Sequence, residues 1–146
     1  MNTITIYRAL IFAACLFSGL LAIAAQSVDP AKLLDKVTIT PGQKMALLFD
    51  VQGDVLTKPR NAERPDEKQP GILLTFGQHE GVPGLILSMK HDFPRTLTCR
   101  CLMRLKGRKE FVETSILPVK SQMAHYESWT DPIEEIVLFE FKLLEN

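Results

Sequence analysis

The sequence predicts an all-β protein, built as an antiparallel two-sheet sandwich of about seven strands. Three observations support this fold class. Apolar residues recur with a period of two along several segments, Pro and Gly residues separate those segments, and the mature sequence shows almost no helical period.

The first half of the predicted sheet is dominated by one buried strand. Residues 31–35 form a single helical turn, and a first strand covers residues 37–39. A Pro-Gly turn then leads into the strand at 45–51, whose apolar residues continue on both faces. The polar stretch 52–71 is expected to be a surface loop with a short edge strand at 54–56.

The second half begins with a hairpin. Residues 72–76 and 85–89 form its strands, and the Gly-rich segment 77–84 connects them. The strand at 97–105 comes next, and a basic turn leads from it into a strand at 111–116.

The strand at 97–105 shows the clearest alternation in the sequence. Polar side chains are expected on its wet outer face, and Leu102 departs from the pattern. The residues on the core face are Leu97, Cys99, Cys101, Met103 and Leu105.

The C-terminal part combines an irregular segment with a closing strand. Residues 118–132 are expected to be irregular and rich in aromatic and polar groups. Residues 133–144 form the last strand, with Val137, Phe139, Phe141 and Leu143 on one face.

Seven short antiparallel strands in about 120 residues resemble the architecture of immunoglobulin and fibronectin domains. The resemblance is one of architecture only, because the Cys–Trp–Cys arrangement of antibody domains is missing. A small β-barrel is the alternative fold.

Residues 1–25 have the pattern of a secretory signal peptide. Arg8 is the single charge before an apolar stretch, and small residues at 22 and 24 precede the return of polarity. The alternative is an uncleaved anchor helix, since the apolar run reaches the lower length limit of a membrane span. Residues 26–146 are predicted to be one domain, located in the periplasm or secreted.

The charge balance excludes several classes of partner. The chain has 17 basic and 17 acidic residues, and loss of Arg8 with the signal leaves a net charge of about −1. Without a basic cluster there is no reason to expect nucleic acid, and no second apolar run could span a membrane. Cys99 and Cys101 remain after signal removal, and their spacing in an extended strand is too wide for a disulfide.

Two groups of residues are candidate binding sites. His125, Tyr126 and Trp129 bring aromatic side chains with polar atoms to one segment, a composition typical of protein and sugar interfaces. Arg100, Arg104 and Lys106 form a basic stripe, extended by Arg108 and Lys109, that predicts an anion or partner face. The partner would be an envelope protein or a glycan.

A metal carrier is the first alternative function. Thioether, imidazole and thiolate groups together suit Cu(I). The same residues also fit ordinary core packing, and no metal or other cofactor is expected on that interpretation. The candidate ligands are Met89, His91, Cys99, Cys101 and Met103.

Catalysis is not expected, since no nucleophile elbow, phosphate loop or zinc-protease motif is present. An unrecognised small hydrolase remains the second alternative. It would require His79 or His125 to face a cleft beside a carboxylate. The sequence therefore predicts an exported, non-catalytic binding domain.

Overall fold

The computed structural model describes residues 28–63 and 69–145, and within them strands dominate. The only helix in these two ranges is a 3-10 turn at Pro30–Lys32, where the Asp29 side chain accepts a hydrogen bond from the Ala31 amide at 2.9 Å. That turn starts one residue before the predicted 31–35. The described part of the chain contains nine strands, which are β1 Val37–Ile39, β2 Gln43–Gln52, β3 Val55–Ala62, β4 Gly71–Gly77, β5 Leu85–His91, β6 Leu97–Leu105, β7 Phe111–Thr114, β8 Ala124–Trp129 and β9 Ile133–Leu143.

The strands form one curled antiparallel sheet, a half-barrel, so the all-β prediction is confirmed and the two-sheet sandwich is not. The order along the sheet is β7-β6-β9-β3-β2-β4-β5-β8, and β1 pairs with β9 beside this path. One residue pair, Val55 with Lys142, joins β3 to β9. The sheet therefore consists of two well-paired groups of strands connected by a thin ladder.

The core lies on the concave side of the sheet, as the alternation of β2, β4 and β5 predicts. Leu47, Leu74 and Met89 are buried in it, and the rings of Phe49 and Phe141 lie 5.0 Å apart between the two groups of strands. Burial of these side chains is the main stabilising contribution to such a fold.

β6 shows the predicted alternation, with one difference on its outer face. The five predicted core residues belong to the main core or pack against it. Leu102 is buried on the opposite side, in a second cluster with Val137 and Phe139 against which Val28 and Leu33 pack. The N-terminal segment thus covers part of the face that was expected to be wet.

The predicted apolar face of the last strand is wrong. Phe141 and Leu143 belong to the main core, whereas Val137 and Phe139 belong to the outer cluster. Glu140 has a φ of 51°, and the β6–β9 register shifts between Thr98 and Arg100. A bulge inserts one extra residue, so side chains on its two sides change faces.

The predicted surface loop at 52–71 is also wrong in part, because β3 extends to Ala62. Only Leu56 of this strand is buried, and Lys58 has a φ of 51° just before Pro59. The β2–β3 register shifts at this point, between Leu48 and Asp50. A bulge is one of the few strand positions that accept proline. Residues 64–68 lie outside the described part of the chain.

A strand also interrupts the segment 118–132, which was expected to be irregular. β8 pairs with β5 over its whole length, from Leu85 opposite Trp129 to Lys90 opposite Ala124. Across residues 28–63 and 69–145, no helix is long and apolar enough to cross a membrane. The predicted signal peptide, residues 1–25, lies outside the described residues.

Candidate functional site

β8 carries three of the five predicted binding residues and lies at one end of the sheet. It pairs with β5 on one side, and no described strand pairs with its other edge. In an edge strand, alternate residues direct their N–H and C=O groups away from the sheet. β8 therefore presents a row of backbone donors and acceptors.

The side chains of β8 alternate in exposure. His125, Glu127 and Trp129 are half-buried. Tyr126 is 62% exposed, and its neighbours on the same face of the strand, Ala124 and Ser128, are exposed as well. Trp129 packs against the core with its ring at 6.4 Å from that of Phe76, in an edge-to-face arrangement. Trp129 thus closes one end of the core, and Tyr126 is the aromatic group open to a partner.

His125 and Glu127 form an ion pair or hydrogen bond on the half-buried face. The His125 Nε2 and Glu127 Oε1 atoms lie 2.7 Å apart, and the Leu117 amide donates to the same oxygen at 3.0 Å. The carboxylate, which the sequence analysis did not select, is therefore held by two partners. Its contact with His125 follows from a spacing of two residues, which places both side chains on one face of a strand.

This pair meets one requirement of the hydrolase alternative, a histidine beside a carboxylate. A nucleophile activated by that histidine would also be needed. The nearby residue Ser128 lies on the exposed face of β8. His79, the other candidate histidine, is exposed in the loop between β4 and β5.

The two cysteines are free thiols, as the strand spacing predicts. Burial raises the pKa of the Cys99 thiol to about 12. The pKa of Cys101 is also raised, chiefly by burial and further by Cys99, Glu127 and Glu113 nearby. Since the thiolate is the reactive species, neither cysteine is prepared for nucleophilic chemistry.

The candidate metal ligands occupy core positions. Met89, His91 and Cys101 are buried, while Cys99 and Met103 are partly buried against the core. The His91 Nε2 atom lies 2.8 Å from the Val119 carbonyl oxygen, and Nδ1 has no hydrogen-bond partner among the residues that the structure describes. Among the described residues, no three His, Cys, Asp or Glu side chains are grouped so that they could hold a metal ion.

Arg100 is neutralised by neighbouring carboxylates on the outer face. It donates to Glu113 at 2.8 and 2.9 Å and to Glu140 at 3.1 Å, and its guanidinium lies 4.9 Å from the centre of the Phe139 ring. The hydrogen bond to Arg100 lowers the pKa of Glu113.

Arg104 is compensated in the same way. Its guanidinium donates to Glu135 at 2.8 Å and to Glu134 at 2.6 Å, and it lies over the Phe111 ring. The hydrogen bond to Glu135 is the largest cause of its raised pKa. Both arginines of the basic stripe are thus held in ion pairs and offer little free positive charge to an anion.

The comparisons with known proteins give no family and no structural relative. No protein-family model, no curated protein and no solved structure matches this chain.

Proposed function

We propose that this chain is an exported, non-catalytic interaction module that binds another polypeptide along β8. The observation that carries the proposal is that no described strand pairs with the outer edge of β8, and the exposed ring of Tyr126 lies at the middle of this strand. Extended polypeptides bind to such edges by adding a strand, with backbone hydrogen bonds giving affinity and side chains giving specificity.

The composition of β8 supports this use of the edge. Natural edge strands are often protected from other chains by Lys or Pro residues, and β8 contains neither. An inward-pointing charge also protects an edge strand from pairing, and Glu127 directs its carboxylate toward the protein. That carboxylate is already in contact with His125 of the same strand. The backbone of β8 is therefore open to pairing.

A polypeptide fits this edge better than a glycan does. Successive N–H and C=O groups are spaced to pair with a second backbone, whereas a sugar would engage the ring of Tyr126 and few of these groups. The alternative surface, around Arg100 and Arg104, offers less because its charges are already paired.

The location outside the cytoplasm is part of the proposal and rests on residues 1–25. An apolar stretch after Arg8 and small residues before Gln26 support export to the periplasm. We infer further that the two groups of strands face each other as in immunoglobulin or fibronectin domains. The contact between Phe49 and Phe141 supports that arrangement.

A photo-crosslinking amino acid at position 126 tests the function in the cell that exports the protein. The matched control carries it at Val112, which is 44% exposed on β7 at the other end of the sheet. We expect discrete polypeptide adducts from position 126 and none from position 112. Equal labelling from both positions, or no adduct from 126, would contradict a binding site on β8.

A further inference from the structure

We propose that the polypeptide bound along β8 is a second copy of this chain, paired antiparallel about a two-fold axis at Tyr126. The inference rests on the proposed function and names its partner. A two-fold interface uses the same surface on both copies, so the strand must be complementary to itself when reversed.

The pleat of the strand limits the possible registers. Residues directly opposite in an antiparallel pair point to the same face of the sheet. Since the faces of β8 alternate, the two-fold axis must pass through a residue and not between two residues. If the axis lay between Tyr126 and Glu127, an exposed side chain would stand opposite a half-buried one.

The register centred on Tyr126 places an imidazole opposite a carboxylate and a ring opposite a ring. It places His125 opposite Glu127 of the second copy, and Glu127 opposite His125 of that copy. On the exposed face it places the two Tyr126 rings opposite each other, with Ala124 opposite Ser128 on either side. Aromatic pairs, and polar pairs that can hydrogen-bond, are cross-strand neighbours that stabilise a sheet.

The neighbouring registers lack this match. An axis at His125 would place two imidazoles opposite each other, without a carboxylate partner, and an axis at Glu127 would place two carboxylates opposite each other. Like charges at opposite positions destabilise a sheet. Of these three central registers, the one at Tyr126 is the self-complementary one.

β7, the strand at the other end of the sheet, does not offer an equivalent edge. It has four residues, against six in β8. An axis at Glu113 would oppose two carboxylates, and an axis at Val112 would oppose Phe111 to Glu113. Both its length and its sequence make β7 the weaker edge for self-pairing.

Disulfide trapping tests the register directly. In the Tyr126→Cys variant the two new cysteines would be opposite each other, with Cα atoms about 4.5–5.5 Å apart, within the range of a disulfide. In the matched Ser128→Cys variant they would be four residues apart along the strand, about 13 Å, which is too far. We expect a reducible dimer from Tyr126→Cys under mild oxidation and none from Ser128→Cys or the wild-type chain. Equal dimer yields from the two variants would overturn the register.

Sedimentation equilibrium tests the pairing without a crosslink. We expect the wild-type chain to dimerise and Tyr126→Lys, which places two positive charges opposite each other, to raise the dissociation constant at least about tenfold. Val112→Lys adds the same charge on β7 and should leave the dimer unchanged. A wild-type chain that stays monomeric at about 100 µM, far above typical specific affinities, overturns the inference.

The adduct masses from the cell separate this inference from the proposed function. An adduct of twice the mature mass from position 126 supports both. A heavier or lighter adduct containing a different polypeptide leaves the interaction module intact and overturns self-pairing.

Discussion

Cys99 and Cys101 show how burial decides what a reactive residue can do. Both are adjacent to the core, and a thiolate there would lose its hydration without gaining a positive partner. Burial therefore keeps both thiols protonated at neutral pH. The folded protein treats them as apolar filler, a common role of cysteine in protein cores.

We predict that the folded protein reacts very slowly with a thiol-specific disulfide reagent at pH 8. A pKa of about 12 in place of 9.0 lowers the thiolate fraction of Cys99 at that pH roughly a thousandfold. Absorbance at the wavelength of the released thiol measures the rate, and the same protein in denaturant is the control. Rapid native reaction, suppressed by added Cu(I), would favour the metal-carrier alternative instead.

The same pKa values give stability a defined dependence on alkaline pH. The folded pKa of Cys99 lies above its ordinary value, so folding favours the protonated thiol. The contribution of the Cys99 thiol to the free energy of unfolding is fully present below pH 9, and it is lost as the pH rises from there toward 12. Urea unfolding between pH 7.5 and 10.5 should show this loss, and Cys99→Ala should show a smaller one. If the free energy of unfolding fell equally with pH in the wild-type and Cys99→Ala proteins, the raised pKa of Cys99 would be contradicted.

The role of Glu127 could not be read from the residues alone. The sequence selects His125, Tyr126 and Trp129 by their chemistry, but the contact of His125 with Glu127 requires an extended backbone. A spacing of two residues brings side chains together in a strand and separates them in a helix. Trp129, selected as a binding residue, instead packs against the core beside Phe76.

At the level of elements, Gly84 controls how β8 approaches β5. Gly84 lies just before β5 with a φ of 90°, and a Cβ atom there would overlap the carbonyl oxygen of Trp129 at the end of β8. Only glycine allows both the backbone conformation and the close approach.

We predict that Gly84→Ala destabilises the protein far more than Gly81→Ala. Gly81 also has a positive φ, of 76°, but open space surrounds its Cβ direction. Gly81→Ala should cost about 1 kcal/mol from backbone strain, and Gly84→Ala about 3 kcal/mol or more, because it adds a clash. Urea unfolding measures both. If both variants lost the same free energy of unfolding, the clash with the Trp129 carbonyl oxygen would not contribute to the effect of Gly84→Ala.

β8, which the sequence missed, and β3, which it predicted too short, share one physical feature. Strand prediction depends on apolar side chains along one face, and β3 buries Leu56 alone while β8 turns His125 and Glu127 toward the protein. By contrast, β2, β4, β5 and β6 bury continuous apolar faces and were located from their alternation. Strands that are positioned by pairing with their neighbours, and not by burial of their own side chains, cannot be predicted from apolar alternation.

At the scale of the whole molecule, the two groups of strands depend on a shared core. The ladder between β3 and β9 contributes one residue pair, yet the main cluster draws on both groups, with Phe76 from one and Cys101 from the other. Removing one group would expose the apolar face of the other. The core, and not the hydrogen-bonded sheet, is what makes the described strands one unit.

We therefore predict that both groups unfold in a single cooperative step. Trp129, the one tryptophan of the chain, reports on the group that ends in β8, and thiol labelling of Cys101 reports on β6. Their denaturant midpoints should coincide, as expected for a two-state domain of this size. Phe141→Leu, which weakens the contact with Phe49, should lower both midpoints equally because the two rings join the groups. A fluorescence midpoint below the labelling midpoint would mean that the β8 group opens alone, and the shared core would then not govern stability.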